Sequence, residues 1–467
     1  MTVDLPEAEA EAGAGAEAEA EAEAEAGPGP AQGRRLRWLA RVAGAGALVL
    51  ACAGGLLALG PAAPTAGPGP GAGQAVPAPP GDPLAAARAA VRDRPQDPYA
   101  WEQLGLADLD RARLTLDAAR LADADQAFQR SLVLKPQGNY GALVGTGMLA
   151  NARHEFAAAR TAGERATALA PDRPTGYLVL ADAEIQLGDY PAATAATQRL
   201  LDLAPTVPGY TRAAYDLETH GRAEEAEIAL RRALDSAESA GDSAFCEHRL
   251  GDLAWDHGRL EEAGDHYRRA LAQAPDDYYA QAGLARVLAA TGRPDQAAEH
   301  YRELVAHAPT PQFLLELTEL QLSRNQDASP QLTALAAEVR LLDASGGPVD
   351  PVLMLYQADH ADPSVAVRLL REEWARRKSV LVADALGWAL HRSGQDVEAL
   401  DLLHLAAATN WHTPLFAYHR GTVEAALHRP EAVADLREAL ALNPHFSPFD
   451  VPLTERLLGE LGAAPQG

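Results

Sequence analysis

Histidines are the residues of this 467-residue chain with the clearest potential for chemistry, because clustered imidazoles can bind a metal ion or move a proton. Six of the fourteen lie between His391 and His445. Metal ligation would need pairs at helical spacing on one face, and His412 and His419 stand seven residues apart near a predicted helix start. We interpret these histidines as surface and packing residues and predict no metal site.

Other motifs that carry chemistry are missing from the sequence. There is no phosphate-binding glycine loop, no His-Glu-x-x-His and no Gly-x-Ser-x-Gly. The glycines within 145–147 lack the further glycine that a nucleotide loop needs. The pairs Glu224-Glu225 and Glu261-Glu262 fall at the polar starts of predicted helices, where they favour the helix dipole. The sequence therefore predicts no catalytic residue, no cofactor and no enzyme activity.

The two cysteines offer neither a disulfide framework nor a zinc site. Cys246 stands alone and is predicted to be a small buried apolar residue. Cys52 lies in an apolar stretch near the N-terminus and is a candidate for lipidation, as described below.

Composition favours close-packed helices. The chain has only seven Phe, six Trp and three Met but is rich in alanine, the best helix former. Its formal charge is −25, to which Asp4 and the glutamates within 7–25 contribute nine negative charges. Such acidity argues against a nucleic-acid partner, since phosphate neutralisation needs clustered Lys and Arg.

The N-terminal region is predicted to carry a membrane segment. Residues 1–33 form a Glu-Ala-rich tail that should be disordered. Within 34–60, four arginines precede residues 42–59, which contain no charge and as a helix would span about 27 Å, close to the hydrocarbon thickness. The positive-inside rule then places the N-terminus in the cytoplasm and the remainder outside. Residues 61–81 are a Pro, Gly and Ala linker.

Three fates of this segment stay open, besides a buried soluble helix. It is an uncleaved single-pass anchor, a secretory signal cut near residues 58–63, or a lipoprotein signal in which residues 49–52 resemble a bacterial lipobox and Cys52 is lipidated. The predicted localisation is the cell membrane with the rest of the chain extracytoplasmic, or alternatively a secreted protein or lipoprotein.

A repeat of about 34 residues runs through the chain after residue 82. One unit contains Leu250-Gly251, Ala254, Ala263, Tyr267, Ala270 and Pro275. The next unit repeats its offsets with Leu284-Ala285, Leu288, Ala297, Tyr301, Leu304 and Pro309. Small residues at the helix crossing let two helices approach, and the aromatic residue four positions later fills the gap to the next unit.

This spacing resembles the tetratricopeptide repeat family, which places Leu-Gly, Ala, an aromatic residue, Ala and Pro at fixed offsets. The resemblance implies an all-α, right-handed superhelical solenoid of antiparallel helix pairs over 82–467, with about nine to ten units and a degenerate stretch at 311–376. The composition suggests a high-GC bacterium such as an actinomycete.

In the family, the first helix of each pair lines a concave groove that binds protein or peptide partners. The candidate groove residues here are Thr175, Asp182, Gln186, Phe245, His248, Asp252, Trp255, Asp256, Tyr279 and Arg286. Aromatic side chains flanked by acids suit a peptide or helix with basic and apolar character.

We therefore predict a non-catalytic, membrane-tethered scaffold that binds a protein partner. The alternatives are an accessory subunit that presents substrate to a separate envelope enzyme, and a secreted lipoprotein in envelope assembly. The oligomeric state and the partner's identity are not readable from the sequence.

Overall fold

The computed structural model describes residues 82–463, where all regular structure is helical. The first eleven α-helices are α1 Pro83–Asp93, α2 Pro98–Thr115, α3 Ala119–Leu134, α4 Tyr140–Ala152, α5 Phe156–Leu169, α6 Pro174–Leu187, α7 Tyr190–Leu203, α8 Val207–Thr219, α9 Ala223–Asp235, α10 Ala240–Asp256 and α11 Leu260–Gln273. The others are α12 Tyr278–Ala290, α13 Pro294–His307, α14 Pro311–Ser323, α15 Ser329–Ser345, α16 Pro351–His360, α17 Pro363–Arg376, α18 Val380–Arg392, α19 Asp396–Ala406, α20 Pro414–Ala426, α21 Ala432–Leu442 and α22 Asp450–Ala463.

Local sequence explains where many of these helices begin and end. Asp97 accepts a hydrogen bond from the backbone N–H of Tyr99 at 3.0 Å, and Pro98 occupies the first turn of α2. Asp362 caps α17 in the same way. Gly188 ends α6 with φ +85°, a left-handed conformation that glycine adopts without strain.

The helices form ten successive pairs, from α2 with α3 to α20 with α21, which we number units 1 to 10. Helix α1 precedes unit 1 and α22 follows unit 10. Each pair packs on the next, so the chain buries a continuous core along its length. The predicted all-α helical repeat architecture is confirmed within the described residues.

Aromatic rings hold neighbouring units together where glycines leave room for them. Tyr267 of α11 is fully buried, and its ring lies against Gly251 of α10 and Gly283 of α12. A Cβ added to Gly283 would lie 2.3 Å from the ring atom Cζ. Phe128 of α3 occupies the equivalent place between units 1 and 2. The glycines therefore allow the ring to insert between neighbouring helices, and the ring in turn requires glycine at these positions.

The stretch 311–376, whose repeat spacing is degenerate, contains units 7 and 8 as helices α14 to α17. Its core side chains are larger than those of the regular units, and Leu314, Leu335, Met354 and Leu370 are all at most 1% exposed. Long aliphatic side chains here fill the space that alanine and tyrosine fill elsewhere, so helix pairing continues although the motif does not.

The ends of first helices in the early units contact units five positions further along the chain. The Arg377 guanidinium donates to the side-chain oxygen of Gln186 at 2.9 Å, and the Lys378 backbone N–H donates to the Leu187 carbonyl at 2.9 Å. Unit 3 thus meets the end of unit 8. The Asn443 side chain donates to the Trp255 carbonyl at 2.7 Å, which joins unit 10 to unit 5.

Because of these contacts, units 5 to 10 complete one turn of the superhelix. A Cβ on Gly221 of unit 4 would lie 2.3 Å from the carbonyl oxygen of Asn410, which follows unit 9. The same five-unit offset therefore joins units 3, 4 and 5 to units 8, 9 and 10.

The predicted single-pass membrane localisation is wrong. No helix in the part of the chain that the structure describes is long and apolar enough to cross a bilayer. The tail 1–33, the segment 34–60 with its apolar residues 42–59 and Cys52, and the linker 61–81 lie outside the described residues.

Replacing Arg377 with alanine should lower the free energy of unfolding by about 3 kcal/mol, because the change leaves the buried Glu373 carboxylate with only the partly exposed Arg376 and the Val349 backbone N–H, and it removes the donor to Gln186. Arg377 is 4% exposed and donates to Glu373, itself 1% exposed, at 2.5 Å. The matched control is Arg371→Ala on α17, which removes a surface pair with Glu398 and should cost under about 1 kcal/mol. Urea denaturation measures both, and equal losses would contradict the buried role.

Gly283→Ala should destabilise the protein by about 1–3 kcal/mol, since its new methyl group would overlap the Tyr267 ring. Gly459→Ala in α22 is the control: nothing lies within 4 Å of its Cβ position, and the better helix propensity should stabilise by up to about 1 kcal/mol. Thermal unfolding of the two variants should move in opposite directions.

Candidate functional site

The concave wall of units 5 to 10 encloses a cavity of about 450 Å³. Its sides are the first helices of these six units, and the connection from α21 to α22 covers part of it. Large apolar side chains form much of the lining, among them Trp255, Leu315, Trp411, Phe416 and Phe446. The cavity exists because unit 10 returns to unit 5.

Six carboxylates also line the cavity. They come from five helices and are Asp256, Glu316, Glu319, Asp359, Asp384 and Asp450. The basic or titratable nitrogen-bearing side chains in the lining are Arg286, His419 and His445. Negative groups therefore outnumber positive ones within the wall.

Asp384 and His419 form a buried pair at the centre of this lining. Both are 2% exposed, and Oδ2 of Asp384 lies 2.9 Å from Nδ1 of His419. The other carboxylate oxygen, Oδ1, is buried and has no hydrogen-bond partner. Burial lowers the pKa of His419, but the charge and hydrogen bond of Asp384 together with the charges of Asp359 and Asp450 outweigh burial, so the pKa is raised overall. Trp388 stacks on the imidazole at 4.2 Å.

The neighbouring carboxylates are shifted toward their neutral form. Burial raises the pKa of Asp359 to about 6, and the charge of Asp450 adds to the shift although Trp388 donates to Asp359 at 3.0 Å. Burial likewise raises the pKa of Glu319 well above its usual range, with further contributions from Asp450, Asp359 and Glu316. These carboxylates repel one another because the wall brings them together in a partly desolvated space.

Arg286 shows how this wall accommodates a cation. Its guanidinium lies over the Trp255 ring at 5.4 Å and reaches Oδ1 of Asp252 at 3.4 Å. An aromatic face and a carboxylate are thus both available to a positive group here.

Three of the ten predicted groove residues line the cavity. They are Trp255, Asp256 and Arg286, at the ends of α10 and α12 that face the cavity. These three residues were predicted because the first helix of each pair should form the concave wall. The structure places all three in the lining of one cavity.

Four more of the predicted residues lie in a cluster behind this part of the wall. His248 is buried between Asp252 at 3.1 Å and Asp277 at 3.3 Å. Asp252 also accepts a hydrogen bond from the Tyr267 hydroxyl at 2.8 Å. Tyr279 stacks on His248 at 6.1 Å, and Phe245 lies edge-on to it at 6.3 Å. This cluster holds α10 against α11 and α12.

The remaining three predicted residues lie in unit 3, away from the cavity lining. Asp182 is buried in an ion pair with Arg212 at 2.8 Å. Gln186 accepts from Arg377 in the contact between units 3 and 8, and Thr175 is hydrogen-bonded to the Tyr140 hydroxyl at 3.0 Å.

The acids of the later units were not identified by sequence reasoning. Glu316, Glu319, Asp359, Asp384 and Asp450 belong to helices α14, α16, α18 and α22, of which the first two lie in the degenerate stretch. One sequence signal was present: acidic residues interrupt otherwise apolar helical runs, as in the Leu-rich sequence of α14. Acids at such positions face an interior. Among residues 82–463, no three His, Cys, Asp or Glu side chains are placed to hold one metal ion.

This geometry defines an all-α helical repeat protein whose concave wall encloses a cavity lined by carboxylates and apolar side chains. A tetratricopeptide repeat model matches residues 144–208 and 248–312, which is less than a third of the chain. These two segments are therefore similar to tetratricopeptide repeats, and the fold is consistent with a protein-interaction scaffold. No curated protein matches the sequence.

The solved structures that are similar to this chain include the following two. A thermophilic tetratricopeptide repeat protein of Thermus thermophilus is 23% identical, with a TM-score of 0.35, over 39% of this chain and 98% of its own. The Cut9–Hcn1 heterotetramer of the APC/C is 14% identical, with a TM-score of 0.40, over 80% of this chain and 81% of its own.

Asp256 should make stability fall as pH rises between about 4 and 7. Burial and the nearby Asp252 raise its pKa to about 7, while Glu218 adds and Arg286 and Arg249 oppose. Since the unfolded carboxyl titrates near about 4, the native state holds the extra proton in this window.

The variant Asp256→Asn cannot titrate at this position, so it removes this loss of stability with rising pH. Its stability relative to the parent should therefore increase from about pH 5 to about pH 7 and level off above. Urea midpoints of both proteins across this range measure the difference, and a pH-independent difference would contradict the raised pKa.

Proposed function

We propose that the chain is a non-catalytic scaffold that binds a basic, partly apolar segment of a protein partner at the concave wall of units 5 to 10. The carrying observation is the lining itself, in which six carboxylates and several aromatic rings share one cavity. Charge complementarity of this kind steers association and selects the partner.

The electrostatics favour a basic partner. Asp359 and Glu319 both have raised pKa values, because burial and the neighbouring carboxylates disfavour their charged forms. A cationic group placed among them offsets that repulsion, whereas the phosphates of a nucleic acid would increase it. The aromatic members of the wall, Trp255 and Trp411, supply apolar contact for the rest of the segment.

The size of the cavity limits how the partner engages. An α-helix with side chains is about 10–12 Å across, so 450 Å³ holds about one turn of it. A partner therefore inserts side chains or a short extended segment rather than laying a long helix along the wall. Of the groove residues predicted from sequence, Trp255, Asp256 and Arg286 are the ones we assign to direct contact.

The other predicted groove residues have positioning roles in this proposal. His248 pairs with Asp277, and Asp252 pairs with Arg286, so both hold α10 against unit 6. Gln186 accepts a hydrogen bond from Arg377 across the turn of the superhelix. Their side chains are occupied by these contacts, so they act on the partner through the shape of the wall.

Charge reversal at Glu319 tests the proposal. Random peptides displayed on phage are selected on the full chain, and we expect Lys and Arg together with aromatic or aliphatic residues to be enriched. Glu319→Lys should weaken binding of the selected peptides by at least about tenfold, since it adds repulsion inside the wall.

Glu224→Lys is the matched control, because Glu224 is exposed on α9 outside the cavity lining. It should leave the affinity within about twofold of the parent. Selected peptides without basic residues, or equal effects of the two variants, would refute the assignment of binding to this wall.

A further inference from the structure

We infer that the cavity of units 5 to 10 is a site for one organic cation, an ammonium or guanidinium group carried on an apolar body, with Asp384 as its principal acceptor. The inference deepens the proposed function by naming the chemical group that the wall receives, and it rests on that function only for the location.

The first argument is the unsatisfied oxygen of Asp384. Its side chain is 2% exposed and lines the cavity, and Oδ2 is paired with His419 at 2.9 Å while Oδ1 has no partner. A buried carboxylate oxygen without a hydrogen bond is costly and rare in native proteins. Oδ1 is itself covered, but Asp384 lines the cavity, so a donor that enters would satisfy this oxygen once the carboxylate turns toward the lining.

The second argument is the balance of charge around this oxygen. Glu319, Asp359 and Asp450 lie in the same lining, and burial raises the pKa of each; neighbouring carboxylates raise the pKa of Glu319 and Asp359 further. His419 is already paired with Asp384, and Arg286 with Asp252. Asp359 is paired with Arg392 at 3.1 Å, and the carboxyls of the described lining still outnumber its cationic groups.

The third argument is the mixture of groups in the wall. Aromatic and aliphatic side chains alternate with the acids around the cavity, and a metal ion would make no use of them. An ammonium or guanidinium on an apolar body would use both, as Arg286 already does with Trp255 at 5.4 Å and Asp252 at 3.4 Å. The volume of about 450 Å³ is within the range of about 300–1,000 Å³ typical of small-ligand sites.

The test is calorimetric titration of the full chain with matched probes. The free-cation probe is phenethylammonium, and its neutral counterpart is phenethyl alcohol. The side-chain probe is a short, end-capped, leucine-flanked peptide with one lysine, and its counterpart carries norleucine. Calcium chloride tests a metal ion at the same site.

We expect at least one cationic probe to bind saturably and its neutral counterpart not to bind. Asp384→Asn keeps the shape and an oxygen for His419 but removes the charge, so affinity should fall at least about tenfold. Glu224→Gln, outside the cavity, should leave affinity unchanged. Binding of phenethylammonium alone indicates a free small molecule, and binding of the lysine peptide alone indicates a partner side chain.

A second variant and a pH series cover the case in which Asp384→Asn does not fold by circular dichroism. Glu319→Gln should also weaken the cationic probe. In the parent chain, binding should be weaker at about pH 5 than at about pH 8, because protonated carboxyls attract a cation less.

Several results would overturn the inference. These are binding of calcium in place of both organic cations, equal binding of the neutral counterparts, no saturable binding at millimolar concentration, or full affinity in Asp384→Asn. Selected display peptides that bind independently of Asp384 would leave the proposed function standing and refute this inference. Binding of a cationic probe without any selected peptide would refute the proposed function and leave this inference standing.

Discussion

The contact between units five positions apart is the constraint on which the cavity depends. The helix pairs by themselves would generate an open groove, because each unit contacts only its neighbours along the chain. The hydrogen bond from Asn443 to the carbonyl of Trp255, and that from Arg377 to Gln186, bring one turn of the superhelix onto the next. Both bonds are buried, so each polar group depends on its partner being in place.

The charge properties of the wall follow from that closure. Glu319 and Asp359 lie on separate helices, and Asp450 begins the helix after the last unit. Only the curvature of the solenoid brings them to one cavity, where burial raises the pKa of each. A carboxylate on an open concave face would keep its solvation, and the repulsion that makes this wall suited to a cation would be weak.

The repeat was predictable because it is local. The alternation of Ala263, Tyr267 and Ala270 within one unit reports how two adjacent helices pack, and the ring of Tyr267 does fill the space beside Gly283. The stretch 311–376 was harder to interpret, since larger aliphatic residues such as Leu335 and Met354 pack its helices without the motif. The predicted membrane localisation depended on residues 42–59, which lie outside the described residues, and no helix of the described chain meets the requirement for a membrane span.

The sequence by itself determined the helical class and the repeat length, because helix periodicity and neighbour packing act over one or two units. Only the tertiary structure decided which acids share a cavity and that Asp384 keeps an unpaired oxygen there. The physical reason is the accumulated curvature of ten helix pairs. Small angles between neighbours leave no distinct mark on any one unit, yet their sum decides which residues meet nearly 190 positions apart.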